Sequence, residues 1–578
     1  MFTNILNKID FFRKILINTF FIIFLLGIFL FLLITPFLGD STDKKKSILF
    51  LDASSQMSNN SSFFSKSYGL SNYEIVNAIE IAEKDNEIET ILIDVSLMNL
   101  SATDASEIGE SLVSFRSTGK KVITYGDFYF QNQYLLASYS DEIILNPFGL
   151  VYLEGYKNYR FYLKEALNKI NININTFIAG DYKSASEIFT NESMSEDSKL
   201  ESKRFLSALW NEWLMHVSSN RETAISISIQ DYIDNIGSLI TSSNKKGSNL
   251  ALDLGLVDKI MNRIEMEDYL TNLDKNRDYF LKISKYYEIS KKNLSQNKLA
   301  MIDAKGEIVD GDVTDNNLSS GHFSRLLKKV KDGNYQGLLI RLNTPGGSGF
   351  ASEIIRQELI QLKDLEIPII VSMADIAASG GYWISAEVDE IWASPFTLTG
   401  SIGVWTALPD FGKSLKDIGI NYDGVSTTQF NPSLVTGPDD NSKLLIQSVV
   451  DSAYEYFLEV VSKGRNLDKD FTKTISEGKI WTSKEAKENG LIDEIGSQRN
   501  SLDHLAQLAK LEDYDVELIE EEITFLEQIN LYVSNFFPKI FNNLFNQNLT
   551  GPISTIFSDE KNIPFDINLI CLECLRDQ

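Results

Sequence analysis

The stretch ITYGDFYFQNQYLLASYSDEIILNPFGLVYLEG, residues 123–155, aligns without a gap with VSMADIAASGGYWISAEVDEIWASPFTLTGSIG, residues 371–403. The pairs Asp127/Asp375, Tyr134/Tyr382, Asp141/Asp389, Pro147/Pro395 and Gly155/Gly403 are identical, and the DEI at Asp141 returns at Asp389. Upstream, ASEI recurs at Ala105 and Ala351, each time after an apolar run, TILIDV at Thr90 and GLLIRL at Gly337. Downstream, Gly255-Leu256-Val257-Asp258 recurs as Gly490-Leu491-Ile492-Asp493. Motifs repeated in one order mark an internal duplication, which has to be recognised before any fold is assigned. Two copies of one unit are therefore expected, at 48–275 and 297–510, joined by a polar linker over 285–296 (KYYEISKKNLSQ).

Within each copy, short β-branched runs alternate with longer amphipathic stretches. In the second, LAMIDAKGEIV from Leu299, GLLIRLN from Gly337 and PIIVSMA from Pro368 read as strands. SEIIRQELIQLKDL from Ser352 reads as a helix, and SGGYWISAEV from Ser379 as a helix opening after a tight turn. Apolar strands separated by helices imply a mainly parallel sheet with helices packed on it, because parallel strands need crossover connections. Both copies are expected to be α/β domains.

A chain of 578 residues, 43% hydrophobic and 23% charged, is globular in composition and exceeds one core; ordinary domain sizes predict about two to four folded units. The net charge of −26 argues against nucleic acid as a partner, since a backbone-binding protein must cluster Lys and Arg to displace counterions. The only cysteines, Cys571 and Cys574, sit near the C-terminus without a second pair or a nearby histidine, so neither a disulfide framework nor a metal site is expected. His216, His322 and His504 are scattered and lack ligand spacing, which leaves a Ser-His-Asp triad or a zinc centre without support. No cofactor and no metal are expected.

Ahead of the duplication, residues 15–38 (ILINTFFIIFLLGIFLFLLITPFL) carry no charge, and a hydrocarbon core takes about 20 helical residues to cross. The exit TPFLGDS lacks an A-x-A-like cleavage pattern, so an uncleaved transmembrane anchor is expected, with residues 1–14 in the cytoplasm and a single span. Lys8, Arg13 and Lys14 precede the span and Lys44, Lys45 and Lys46 follow it, so charge alone leaves orientation open.

Two glycine-containing turns end strands in the second copy: Asn343-Thr344-Pro345-Gly346-Gly347 and Ala378-Ser379-Gly380-Gly381. Paired glycines let backbone N–H groups approach a ligand and adopt positive φ, as an oxyanion hole requires. A serine opening a helix also has its hydroxyl at the positive end of the helix dipole, so Ser379 suits a nucleophile, although a capping role would use the same residue. A hydroxyl needs a base. Lysine serves when burial disfavours its charged form, and Lys183 in FIAGDYKSASEIF follows an apolar run and Gly180.

Comparison of the copies singles out this pair. In place of Ser379-Gly380-Gly381 the first copy has Gln131-Asn132-Gln133, and in place of Pro345-Gly346-Gly347 it has Asn99-Leu100-Ser101. The second copy has no lysine between Lys416 and Lys443, the region that corresponds to the Lys183 loop. Each half lacks what the other retains, so one composite Ser-Lys site per pair of domains is expected.

The motifs N-T-P-G-G-S at Asn343, A-A-S-G-G-Y-W-I-S at Ala377, S-P-F-T-L-T-G-S-I-G at Ser394 and G-D-Y-K-S-A at Gly180 closely resemble the long, duplicated form of bacterial signal peptide peptidase A, also called protease IV. The resemblance runs from the anchor to about residue 510. It implies two tandem Clp/crotonase-fold domains and a membrane-anchored serine endopeptidase that degrades cleaved signal peptides. It further implies Ser379 as nucleophile, Lys183 as general base, Ser401 as the residue that orients Lys183, and N–H groups of Gly347, alternatively Gly346, and of Gly380 as oxyanion donors. A homotetrameric ring in the bacterial inner membrane, with its body on the extracytoplasmic side, is implied as well. Thr344 departs from the commoner serine of the motif, a change expected to leave the backbone donors available. The tail at 520–578, rich in Phe, Ile and Leu, matches no known pattern; its helical spacing suits an interfacial position on bilayer or neighbouring subunit, or packing on the body. Two rivals remain: a crotonase-like enzyme acting on acyl-CoA, and a non-catalytic membrane scaffold.

Overall fold

The computed structural model describes residues 48–56, 69–273, 280–291, 295–312, 317–425, 435–521 and 568–570, with single residues 19, 21, 427 and 433. The segment 1–14, the expected anchor at 15–38 and most of the tail, with Cys571 and Cys574, lie outside the described residues. Among the described residues no helix is long and apolar enough to cross a membrane.

The first copy contributes β1 (Ile48–Leu51), β2 (Thr90–Asp94), β3 (Lys121–Gly126), β4 (Glu142–Leu145), β5 (Asn173–Ala179), β6 (Lys259–Ile260) and β7 (Phe280–Lys282). The second contributes β8 (Lys298–Lys305), β9 (Ile308–Val309), β10 (Leu318–Ser319), β11 (Gly337–Thr344), β12 (Gly346–Ser348) and β13 (Ile369–Ala378). It continues with β14 (Glu390–Ala393), β15 (Leu398–Gly400), β16 (Val404–Asp410), β17 (Ile480–Thr482), β18 (Glu494–Ile495) and β19 (Asp515–Leu518), and β20 (Asn568–Ile570) comes from the tail.

The first sheet runs β6-β4-β3-β2-β1-β7, parallel throughout. The second repeats that order strand for strand as β18-β14-β13-β11-β8-β19, again parallel. It is extended beyond β13 by β15, with β17 antiparallel to β15. The recurring side chains have recurring tasks. Asp141 accepts from the Val122 N–H and Asp389 from that of Ile369, both at 2.8 Å. Asp258 accepts from the Ile143 N–H at 2.8 Å and Asp493 from that of Ile391 at 2.7 Å. The buried hydroxyls of Tyr134 and Tyr382 donate to the carbonyls of Leu256 and Leu491. Strand-end N–H groups and buried hydroxyls need partners, and the two copies supply them with the same residues.

Both units are longer than the repeat alone suggests. The stretch read as a linker from residue 285 begins inside a helix, Ile283–Ser290, whose Ile283, Tyr286 and Tyr287 are buried in the first core with Leu281. These three residues fall at i, i+3 and i+4, one face of a helix, while the intervening exposed Lys285 gives the segment its polar look. In the second copy β19 pairs with β8 along Asp515–Leu518, beyond residue 510.

A buried ion pair ties the copies together. Arg341 on β11 donates from Nη2 to Glu107 at 3.0 Å and from Nη1 to Ser372 Oγ at 3.0 Å. Glu107, on the helix Ala102–Ser117 of the first copy, also accepts from the Gln498 N–H at 2.8 Å. Burial pushes the Glu107 carboxyl up to about 7 against the pull of the Arg341 guanidinium. Glu107→Ala would strand a buried cation, so a loss of about 3–5 kcal/mol is expected, seen as a lower urea midpoint at unchanged slope. Replacing both partners by leucine should cost much less; equal losses for the single and double changes would refute this role.

A third sheet, of order β10-β9-β12-β20-β16-β5, joins elements of both copies and the tail. In it β5 of the first copy pairs antiparallel with β16 of the second, from Val404 opposite Ala179 to Asp410 opposite Asn173. This pairing delivers the loop after β5 to the second copy.

Candidate active site

Ser379 stands between the end of β13 and the helix Gly380–Ser385. Its φ of 56° and ψ of −113° are the values of the first central position of a type II′ turn, usually glycine. A non-glycine residue there is strained, and the surroundings must hold it. Two bonds do so: the Ser379 N–H donates to Gly400 O at 2.8 Å, and its carbonyl accepts from the Trp383 N–H at 2.9 Å. The second glycine of the motif is dictated by space, since a Cβ on Gly381 would lie 2.5 Å from Thr344 Cγ2. The opening N–H groups of a helix have no acceptor within it, which leaves that of Gly380 directed out of the turn.

Lys183 follows β5 in a tight turn, its N–H donating to Gly180 O at 3.1 Å. The loop is clamped by the second copy: Tyr182 N–H donates to Glu477 O at 2.7 Å. Gly478, at φ +81°, lies so close that a Cβ there would sit 2.6 Å from Lys183 N. The same turn holds Ser401, whose N–H donates to Lys479 O at 2.7 Å, while Gly478 N–H donates to Ile402 O at 2.8 Å. Residues 477–479 thus fix both Lys183 and Ser401, and nothing in the motif reading pointed to them; the glycine in ISEGKIW was the only trace.

These turns bring the side chains together. Lys183 is 2% exposed, and Ser379 and Ser401 are fully buried. Lys183 Nζ donates to Ser379 Oγ at 2.7 Å, Ser401 O at 2.9 Å and Ser401 Oγ at 3.0 Å. An amine from one copy therefore meets a hydroxyl from the other, with a second serine holding it through both main-chain and side-chain oxygens. Ser401 takes a positive φ of 51° to present both.

The glycine turn differs in one respect from expectation. Gly346, named as an alternative oxyanion donor, has its N–H engaged by Thr344 Oγ1 at 3.1 Å, so its donor is taken by the side chain two residues back. Gly347, at φ +153°, packs so tightly on β9 that a Cβ would meet Ile308 O at 2.0 Å. In the first copy the matching turn is filled: Asn132 Nδ2 donates to Leu100 O at 2.9 Å and Gln133 Nε2 to Met98 O at 3.0 Å. The histidines sit elsewhere, His216 with Tyr139, His322 with Glu521 and His504 with Glu390.

Residues 114–277 and 361–512 match the model of Peptidase family S49. Protease 4 of Haemophilus influenzae is 35% identical over 482 residues, which cover 78% of this chain and 76% of that protein. Protease 4 of Salmonella typhi is 34% identical over 470 residues, 79% and 75% of the two chains. The chloroplastic serine protease SPPA of Arabidopsis thaliana is 26% identical over 449 residues, 74% and 64%.

Proposed function

The chain belongs to peptidase family S49 and is a serine peptidase, and from that premise we propose that Ser379 is its nucleophile, Lys183 its general base and cleaved signal peptides its substrates. The observation that carries this reading is the 2.7 Å separation of Lys183 Nζ and Ser379 Oγ. An amine buried this far is desolvated, which penalises its charged form. As the neutral amine, Lys183 keeps two N–H groups for Ser401 O and Oγ and turns its lone pair to the Ser379 hydroxyl, which then becomes the donor. Proton transfer to Nζ accompanies attack of Oγ on the peptide carbonyl carbon. The resulting oxyanion is received by the N–H groups of Gly347 and Gly380, the Gly346 N–H being spent on Thr344. The ammonium returns its proton to the departing amine, and water repeats the sequence on the acyl-enzyme.

Residues 15–38 as a single-pass anchor would hold this site at the bacterial inner membrane, body outward, where apolar peptides are released. The same reading takes the two α/β units as Clp/crotonase-type domains and the assembly as a homotetramer.

A fluorophosphonate probe tests it directly. Labelling should fall on Ser379 and rise between about pH 6 and pH 10 as the proton leaves Lys183. No labelling at any pH, or a flat profile, would remove the Ser-Lys assignment. A synthetic signal peptide should also be cut faster than a polar peptide of equal length; equal rates would remove the substrate claim while leaving the chemistry.

A further inference from the structure

Two strand edges face each other beside Ser379. On one side β12, the strand of the glycine turn, pairs with β9 through Gly347 opposite Ile308. On the other, β16 pairs with β5. The inner edges of both are joined by one strand, β20. It runs antiparallel to β12, with Gly346, Gly347 and Ser348 opposite Ile570, Leu569 and Asn568, and antiparallel to β16, with Trp405 opposite Asn568. It also passes the helix Gly380–Ser385, which Ser379 opens.

Take β20 away, and the sheet divides into β10-β9-β12 and β16-β5. The gap would be one strand wide, since neighbouring strands lie about 4.8 Å apart and two such spacings make about 9.6 Å. Both walls would then present unpaired backbone donors and acceptors, the arrangement that captures an extended peptide by strand addition. Recognition of this kind reads the backbone, so it admits many sequences, including the chain's own.

We propose that Asn568–Ile570 is a built-in competitor that occupies the peptide slot between β12 and β16 and has to leave before a substrate can be cut. This rests on the reading above, in which the peptide chain passes Ser379 and the Gly347 turn. It gives a task to the apolar tail, whose KNIPFDINLI at 561–570 carries alternating polar and apolar residues into the strand. Tethering makes a short strand sufficient, because an attached segment acts at an effective concentration of about millimolar. Peptides then have to outcompete it, which favours substrates concentrated at the membrane surface.

The test uses the full chain carrying Ser379→Ala, with and without Leu569→Pro, and a fluorescein-labelled peptide of residues 561–570. A strand with neighbours on both sides has no free N–H edge, so proline at residue 569 removes a ladder bond whichever way that N–H points. Asn568→Pro, at the position opposite both Ser348 and Trp405, is the second variant. Fluorescence anisotropy should show each proline variant binding the peptide at least about tenfold more tightly than the chain with its own tail strand intact. With Ser379 present, KM for a synthetic apolar peptide should fall by the same factor at unchanged kcat. Equal affinity in all three chains, or no binding to any, overturns the proposal. Proline variants that bind tightly but cleave nothing would sink the peptidase reading alone, and cleavage with unaltered KM would sink the competitor alone.

Discussion

Ser379→Ala is expected to lower kcat for peptide cleavage by about 10⁴–10⁶-fold, the scale seen when a serine nucleophile is deleted and only binding and oxyanion contacts remain. The change removes one oxygen and little else. Alanine meets the same backbone demand as serine at φ 56° and ψ −113°, so the strain is not altered. Lys183 Nζ loses one acceptor and retains Ser401 O and Oγ. Thermal stability should therefore stay close to that of the unaltered chain, which separates loss of chemistry from loss of fold. Residual peptidase activity above about one part in a hundred would place the nucleophile elsewhere. Turnover of an acyl-CoA that survived the same substitution would revive the crotonase-like alternative, which uses similar turns without needing this hydroxyl.

The repeat could be read because each recurring motif residue works locally. Asp141 and Asp389 cap strand ends, Asp258 and Asp493 do so one strand further on, and Tyr134 and Tyr382 tie a helix to the following loop. Local tasks leave local signatures, and alternation of apolar runs with amphipathic stretches then identifies parallel α/β sheets. The meeting of Lys183 and Ser379 was legible for a different reason: two copies of one unit show by difference what each has lost. Asn132 and Gln133 even fill the vacated turn with their amides.

What stayed hidden depends on contacts between distant segments. Pairing of β5 with β16 joins the copies edge to edge, and neither strand's composition names its partner. The clamp at Glu477-Gly478-Lys479 is built from backbone groups, which any sequence carries. Thr344 looked like a neutral replacement for serine, yet its Oγ1 takes the Gly346 N–H; hydroxyls bonding backbone two residues on are a known habit of Ser and Thr in turns. Tyr286 and Tyr287 were obscured by neighbouring lysines. Asn568–Ile570 is too short for periodicity to tell strand from helix.

Lys183 carries the second large effect. Lys183→Ala should lower kcat by about 10³–10⁴-fold, the contribution of a positioned general base to an otherwise intact site. Lys183→Arg should be nearly as damaging, because a guanidinium does not deprotonate in proteins and so cannot accept the Ser379 proton. Arginine also keeps the positive charge, so the pair of variants distinguishes two roles for the side chain. Were Lys183 present only to attract or stabilise negative charge near the Gly347 turn, Lys183→Arg would retain much of the activity that Lys183→Ala loses. A base predicts that both fail and that the rise of rate with pH disappears in both, since the group whose proton loss produces that rise is gone. Binding should be spared, as Lys183 points at the two serines and not along the strand edges of β12 and β16, so KM is expected to change far less than kcat. Full activity in either variant, or a pH profile that keeps its original slope, would require the proton to leave Ser379 by another route.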